Sequence, residues 1–187
     1  VQHLTLVARK CYEELGARAQ MNPPLRKGCH QKALWRAIDE GGIDVVGSDH
    51  APHTLAEKSG IYPQTPSGLP GVQTLLTIML DHVNAGRLSL ERLVQLTSEG
   101  PARVFGIANK GLIAKGYDAD FAIVDLKARR KITDTWIKSR CGWTPYAGRR
   151  LRGKTILTLL RGKPVYKDGK VVGDKGYGVQ AIARQTT

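Results

Sequence analysis

Residues 43–53, Ile-Asp-Val-Val-Gly-Ser-Asp-His-Ala-Pro-His, decide the predicted fold. The apolar, β-branched start predicts a strand over residues 43–48 that is buried on both faces, as in parallel sheets. Asp49, His50 and His53 follow the C-terminal end of this strand. In α/β barrels the catalytic residues lie at the C-terminal ends of the strands. Asp can serve as an oxygen ligand or a general base, and His as a nitrogen ligand, acid or base. The alternative is an ordinary turn in which Asp49 caps a helix and the histidines lie at the surface.

The hydrophobic periodicity changes from helix-like to strand-like near residues 106–112. Apolar stripes and Gly or Pro breaks predict helices at about 7–18, 30–40, 70–84, from Ser89 onward, and 101–105. Short β-branched runs predict strands at 120–125, 130–137, 154–160, 164–167 and 170–172. The Asp168-Gly169 pair predicts a type I′ hairpin turn. The long loop 54–69 is expected to be functional or disordered.

Length and composition limit the classes of protein that the chain can represent. At 187 residues it can bury a core, but a complete (β/α)8 barrel needs about 250 residues. No apolar run approaches the roughly 20 residues of a transmembrane helix, and the N-terminus lacks the apolar region of a signal peptide. Three cysteines without a Cys-x-x-Cys pair favour free thiols in a reducing cytoplasm over a zinc finger.

The positive charge lies entirely in the second half of the chain. Residues 1–100 carry 10 Lys and Arg against 10 Asp and Glu, whereas residues 101–187 carry 19 against 6. Such asymmetry can indicate nucleic-acid binding. Here the basic residues alternate with strand-like apolar residues, and no RNA-binding signature or basic helix occurs, so nucleic acid is disfavoured. The excess charge is interpreted equally well as a basic surface that meets an acidic partner or a missing part of the same protein.

Residues 48–58, Ser-Asp-His-Ala-Pro-His-Thr-Leu-Ala-Glu-Lys, closely resemble the signature of dihydroorotases, which are metal-dependent cyclic amidohydrolases. Residues 22–26, Asn-Pro-Pro-Leu-Arg, resemble the substrate loop of that family, and residues 66–71 resemble its following loop. Further similar motifs follow in the same order, at residues 110–126, 139–146 and 161–169. The resemblance covers nearly the whole chain, but only the C-terminal part of the family's length.

The resemblance implies a fold and a cofactor. Residues 1–108 would form the C-terminal part of a metal-dependent (β/α)8 amidohydrolase barrel, and residues 109–187 a small β-sandwich domain with a tail. The implied cofactor is Zn²⁺. The family's His-x-His pair does not occur in this sequence, so the remaining ligands are expected upstream of the chain. The chain alone is therefore expected to be inactive and to hold no tightly bound zinc.

The resemblance also implies the roles of individual residues. Asp49 would bind the metal and transfer the proton, and His53 would contact the substrate carboxylate. Asn22 would read the edge of the cyclic imide, while the backbone of Ser67 and Gly68 would hold the ring. The alternatives are a loop histidine at 53, a turn asparagine before Pro-Pro, and a glycine that only makes a turn. His50 is expected to be structural.

Three functions follow from the resemblance. The first is dihydroorotase, which reversibly closes N-carbamoyl-L-aspartate to dihydroorotate in pyrimidine biosynthesis. The second is a related cyclic amidohydrolase, such as allantoinase or dihydropyrimidinase. The third is a non-catalytic, metal-free scaffold that associates with aspartate transcarbamoylase. The expected partners are a small-molecule substrate, the missing N-terminal part of the same protein and further copies in an oligomer, because half a barrel leaves strand edges unpaired.

Overall fold

The computed structural model describes residues 1–6 and 8–181. Its α-helices are α1 (Gln2–Thr5), α2 (Ala8–Leu15), α3 (Gly28–Asp39), α4 (Leu75–Asn84), α5 (Leu90–Val94) and α6 (Gly100–Val104). A π-helical turn, Gln95–Glu99, joins α5 to α6, and single 3₁₀ turns occur at Gly16–Ala19, Glu57–Ser59 and Asp134–Trp136. The strands are β1 (Phe121–Lys131), β2 (Arg150–Leu160), β3 (Lys163–Lys167) and β4 (Lys170–Val171).

The helices lie close to their predicted positions. The helix predicted at 7–18 forms as α2 and a 3₁₀ turn, although Val7 lies outside the described residues. The Ser89 hydroxyl accepts a hydrogen bond of 3.0 Å from the Arg92 amide and caps α5, as predicted. The helix predicted at 70–84 begins later, at Leu75, because turns occupy the residues before it.

The four strands form an antiparallel sheet in the order β1-β2-β3-β4. The predicted strand 120–125 lies in β1, which has an irregularity between Asp125 and Arg129. At this irregularity the Asp125 carboxylate accepts hydrogen bonds from the backbone amides of Lys127 and Ala128. Of the predicted strand 130–137 only the first two residues belong to β1; the rest was wrong, because the chain turns there and Asp134–Trp136 form a 3₁₀ turn. Asp168 and Gly169 have φ angles of 47° and 92°, so both central residues of the hairpin have the positive φ that a type I′ turn requires.

The sheet packs on α4 through a close approach of backbone to side chain. Gly153 has a φ of 101°, and a Cβ atom there would lie 2.4 Å from the Leu80 Cβ, so a larger residue would separate β2 from α4. The buried core includes residues from both predicted domains, among them Met79, Leu80, Ile132, Trp143, Tyr146 and Leu151. The division at residues 108/109 stays a prediction.

The strand predicted at 43–48 is the main error of the sequence-based fold. The described residues form no ladder with residues 43–48. The Val46 amide donates to the Leu96 carbonyl at 3.1 Å, and one parallel bridge joins His50 to Leu69. Burial on both faces was also wrong, because Asp44 is exposed and pairs with Arg103 at 2.6 Å. An apolar run becomes a strand only where another segment lies alongside it, and the described chain supplies none here.

Across residues 1–6 and 8–181, none of the helices combines the length and apolar character needed to cross a bilayer.

Candidate functional site

Two of the predicted substrate residues line one groove. The groove has a volume of about 620 Å³, and Asn22 and Ser67 both contribute to its wall. Tyr12 and Tyr62 add aromatic surface, so polar groups stand beside apolar ones. A mixed lining of this kind suits a small polar ring, because the apolar wall favours burial and the polar groups fix orientation.

His53 reaches the same loop through the backbone of Ser67. Its Nε2 lies 3.1 Å from the Ser67 carbonyl oxygen. A carbonyl oxygen only accepts hydrogen bonds, so Nε2 carries the hydrogen and Nδ1 is the nitrogen left for a ligand. The His53 carbonyl in turn accepts a hydrogen bond of 2.8 Å from the indole Nε1 of Trp143. The first hydrogen bond orients the imidazole ring, and the second holds the backbone of His53.

Gly68 holds two loops together. It has a φ of 129°, and a Cβ atom at this position would lie 2.3 Å from the Ala51 Cβ. Only glycine permits this contact between the loop of Ser67 and the segment that leads to His53. The Gly68 amide donates to the Gln20 carbonyl at 3.0 Å, so this amide is already used within the protein.

A buried lysine joins the two walls of the groove, and the sequence did not single it out. Lys58 is only 1% exposed, and its Nζ donates to the Gln20 carbonyl at 2.8 Å and to the Pro66 carbonyl at 2.7 Å. Burial lowers the pKa of its ammonium group. Lys58 thereby connects the turn before Asn22 to the residue before Ser67.

The side chain of Gln20 completes this connection. Its Oε1 accepts a hydrogen bond of 2.7 Å from Thr65, and its Nε2 donates to the Pro63 carbonyl at 3.2 Å. Lys58 closes the motif at 48–58, so the sequence held a signal for it, as it did for Trp143 in the motif at 139–146. Gln20 lies outside every quoted motif, and only the tertiary structure reveals it.

Asp49 stands apart from the groove lined by Asn22 and Ser67. It is exposed, with a φ of 43°, and the preceding Ser48 carbonyl accepts a hydrogen bond of 2.6 Å from Gln2. The next helical turn begins at Glu57, so Asp49 caps no described helix. His50 Nδ1 accepts a hydrogen bond of 3.0 Å from the Gly71 amide, a structural contact.

The described residues do not by themselves complete a metal site. Within residues 1–6 and 8–181, no three His, Cys, Asp or Glu side chains stand close enough to hold one ion. A catalytic zinc site uses three protein ligands, and Asp49 offers one carboxylate. The described part of the chain alone therefore does not fit a metal ion.

Comparison with known proteins relates the chain to a family of hydrolases. Residues 2–172 match the model of the amidohydrolase family. The chain is 42% identical over 171 residues to a dihydroorotase of Pyrococcus abyssi, covering 91% of the chain and 40% of that protein. It is 36% identical over 183 residues to a D-phenylhydantoinase of Escherichia coli, covering 95% of the chain and 40% of that protein.

A solved structure shows the same relation in three dimensions. The L-hydantoinase (dihydropyrimidinase) of Arthrobacter aurescens superimposes with a TM-score of 0.92 at 34% sequence identity. The match covers 98% of this chain and 41% of that protein. The chain therefore spans about two-fifths of the length of these relatives.

Proposed function

Because this chain belongs to the amidohydrolase family, we propose that it is the substrate-binding and proton-transfer part of a dihydroorotase. The complete enzyme would reversibly close N-carbamoyl-L-aspartate to dihydroorotate. The observation that carries the proposal is the connection of Asn22, His53, Ser67 and Gly68 through one groove and the loop beside it. Archaeal relatives named dihydroorotase, at up to 42% identity, support this substrate over others.

The chemistry assigns different tasks to the groove and to Asp49. In the ring-opening direction, the carboxylate of Asp49 would take a proton from the attacking water and donate it to the ring nitrogen that leaves. A Zn²⁺ ion, when bound in the complete enzyme, would lower the pKa of that water towards 7. His53, presenting Nδ1, would hold the substrate carboxylate when its imidazole is charged, and the Asn22 amide would both donate to and accept from the ring edge.

The fold proposed for the complete protein is a (β/α)8 barrel that includes residues 1–108, with a small β-sandwich that includes residues 109–187. An upstream region would supply the missing metal ligands. It would also cover apolar side chains that are exposed here, such as Phe105 at 66% and Ile113 at 87%. Assembly into oligomers and association with aspartate transcarbamoylase stay predictions.

A second candidate, hydrolysis of hydantoins or dihydropyrimidines, is favoured by the relatives that carry those names. The two candidates differ in the charge of the substrate, because dihydroorotate carries a carboxylate and an unsubstituted hydantoin does not. His53 matches the first candidate, since an imidazolium can pair with that carboxylate. Turnover of dihydroorotate compared with hydantoin and dihydrouracil separates the candidates.

Kinetics of three variants in a complete polypeptide that contains this chain test the proposal. Asp49→Ala should lower kcat by several orders of magnitude, because Asp49 acts in the transition state. His53→Ala and Asn22→Ala should mainly raise KM with a smaller loss of kcat, because they bind ground and transition state alike. Asp39→Ala, at the exposed end of α3, is the matched control. An Asp49→Ala enzyme that keeps more than about a tenth of its activity would refute the role of Asp49.

A further inference from the structure

The ladder between β1 and β2 ends in two pairs of like charge that lie on the same face of the sheet. Arg129 stands opposite Arg152, and Lys131 stands opposite Arg150. All four side chains are exposed and lie on the outer face of the sheet. Directly opposite residues place their Cβ atoms about 5 Å apart, and like charges in that position destabilise a sheet.

The pairing register of β1 and β2 keeps all four side chains on the outer face of the sheet. The residue between them on β2, Leu151, is buried in the core, so a slip by one residue would bury the cations and expose the core. Arg130, on the opposite face of β1, lies over the Trp136 ring, with 4.7 Å from its guanidinium carbon to the ring centroid. The fold therefore fixes the four charges on one outward surface.

Within residues 1–6 and 8–181, no ion pair neutralises Arg129, Lys131, Arg150 or Arg152; the pairs that form involve other residues. The four cations line a shallow depression of about 470 Å³, to which Arg130, Leu151 and Asp81 also contribute. The carboxylate in its wall, Asp81, accepts a hydrogen bond of 2.8 Å from the Arg152 backbone amide. This concentration of exposed, repelling charge favours the binding of an anion.

We propose that this surface, Arg129, Lys131, Arg150 and Arg152, docks an extended acidic segment of a partner protein. Residues two apart on a strand lie about 7 Å apart on one face, so the two cationic pairs match carboxylates at alternate positions of an extended peptide. Three of the four cations are arginines, whose planar guanidinium groups bind carboxylates through two parallel hydrogen bonds. The excess charge of residues 101–187 would also attract such a segment.

The same surface lacks what a nucleic acid would need. Single strands bind by stacking bases on aromatic side chains beside a basic groove. Of the aromatic residues packed near this part of the ladder, Trp136 is partly buried and lies under the Arg130 guanidinium, and Tyr146 is fully buried. An acidic peptide needs only the charges and the exposed strand surface, and both are present.

Binding of fluorescent poly-L-glutamate tests the proposal by anisotropy, with the full chain and with the complete polypeptide that contains it. The double variant Arg150→Gln/Arg152→Gln should bind about tenfold more weakly, since each exposed pair contributes a fraction of the affinity. The control is Lys167→Gln/Lys170→Gln, which removes the same charge from a single like-charge pair across β3 and β4. It should lose less than about threefold.

A third variant separates charge from shape. Arg150→Lys/Arg152→Lys keeps the charge but loses the planar forks, so it should lie between the wild type and the glutamine variant. The glutamine variant should unfold at the same or a higher temperature than the wild type, because the substitution relieves repulsion. Circular dichroism during heating measures this and shows that the variant is folded.

Three results would overturn the proposal. Equal losses in the test and control variants would mean that net charge alone attracts poly-L-glutamate. A stronger effect of Arg150→Gln/Arg152→Gln on oligothymidylate than on poly-L-glutamate would make nucleic acid the ligand. A dimer that forms with rising protein concentration, and that the same variant abolishes in sedimentation, would make a second copy of the chain the occupant.

Discussion

The two halves of the molecule differ in how they pair their charged groups. Residues 1–100 carry balanced charge, and their groove is held by internal hydrogen bonds such as those of Lys58 to two carbonyls. Residues 101–187 carry the whole excess of positive charge, and their sheet places like charges opposite one another on its outer face. The first half pairs the buried ammonium group of its groove internally, whereas the second leaves its strongest charges to solvent or to a partner.

The halves meet at the segment that connects β1 to β2. From this segment Trp143 donates to the His53 carbonyl at 2.8 Å. The Gln73 side chain also binds it twice, donating to the Trp136 carbonyl at 2.8 Å and accepting from the Lys138 amide at 2.7 Å. The sheet half therefore supports the loop that carries His53, although it contributes none of the predicted site residues.

Removing Trp143 should have the largest effect on this junction. Trp143 is 2% exposed, and Trp143→Ala should lower the free energy of unfolding by about 3–5 kcal/mol through loss of burial and creation of a cavity. Trp143→Phe, which keeps most of the ring but loses the bond to His53, should cost less. Urea unfolding measures both. Equal costs would show that the hydrogen bond, and not the packing, joins the halves.

Acid should weaken the junction through His82 of α4. Burial lowers its pKa from 6.5 to about 4, helped by Arg87 and by Arg149 from the sheet half, and opposed by Asp81. Between pH 6.5 and 4 the unfolded chain binds a proton that the folded chain does not, so the stability present above pH 6.5 is lost as the pH falls towards 4. The expected loss is of the order of 3 kcal/mol.

Unfolding free energies of the wild type and His82→Gln across this range measure the contribution. The variant cannot titrate at this position, so its stability should fall less between pH 6.5 and 4. The neutral ring lies near Thr5, with 3.2 Å between Thr5 Oγ1 and His82 Nε2, a contact that glutamine can replace. Parallel curves for the two proteins would assign the acid sensitivity to other groups.

The smallest effect on stability is expected at Lys58, in the half of the chain that has balanced charge. Lys58→Met keeps the length of the side chain but removes the donor from the Gln20 and Pro66 carbonyls. Leaving a buried acceptor unpaired costs about 1–3 kcal/mol, and relief of the buried charge offsets part of this cost. Hydrogen exchange of loop 54–69 should rise more than exchange in the sheet.

Lys32→Met, on the exposed surface of α3, is the matched control for this variant. It removes the same charge and adds the same side chain without touching either carbonyl. If both variants leave the exchange of loop 54–69 unchanged, Lys58 does not hold the groove together.

Patterns along the chain predicted most of the local elements and the family. Periodicity placed α3 and most strands of the sheet, although not residues 132–137. The Asp168-Gly169 pair placed the hairpin and Ser89 a helix start, because these depend on neighbours along the chain. The motifs at 22–26, 48–58 and 66–71 identified the family, since they unite side chains whose chemistry is specific to it.

The tertiary structure alone decided what depends on residues far apart in sequence. The run at 43–48 has strand composition but no strand, because strand formation requires a neighbouring segment that composition cannot reveal. Gln20 and Lys58 connect the walls of the groove because the Lys58 ammonium group donates to the Gln20 carbonyl, a contact between residues far apart in sequence. The opposed cations on β1 and β2 also needed the structure, because cross-strand register is set by the packing of both strands against the core and not by either strand alone.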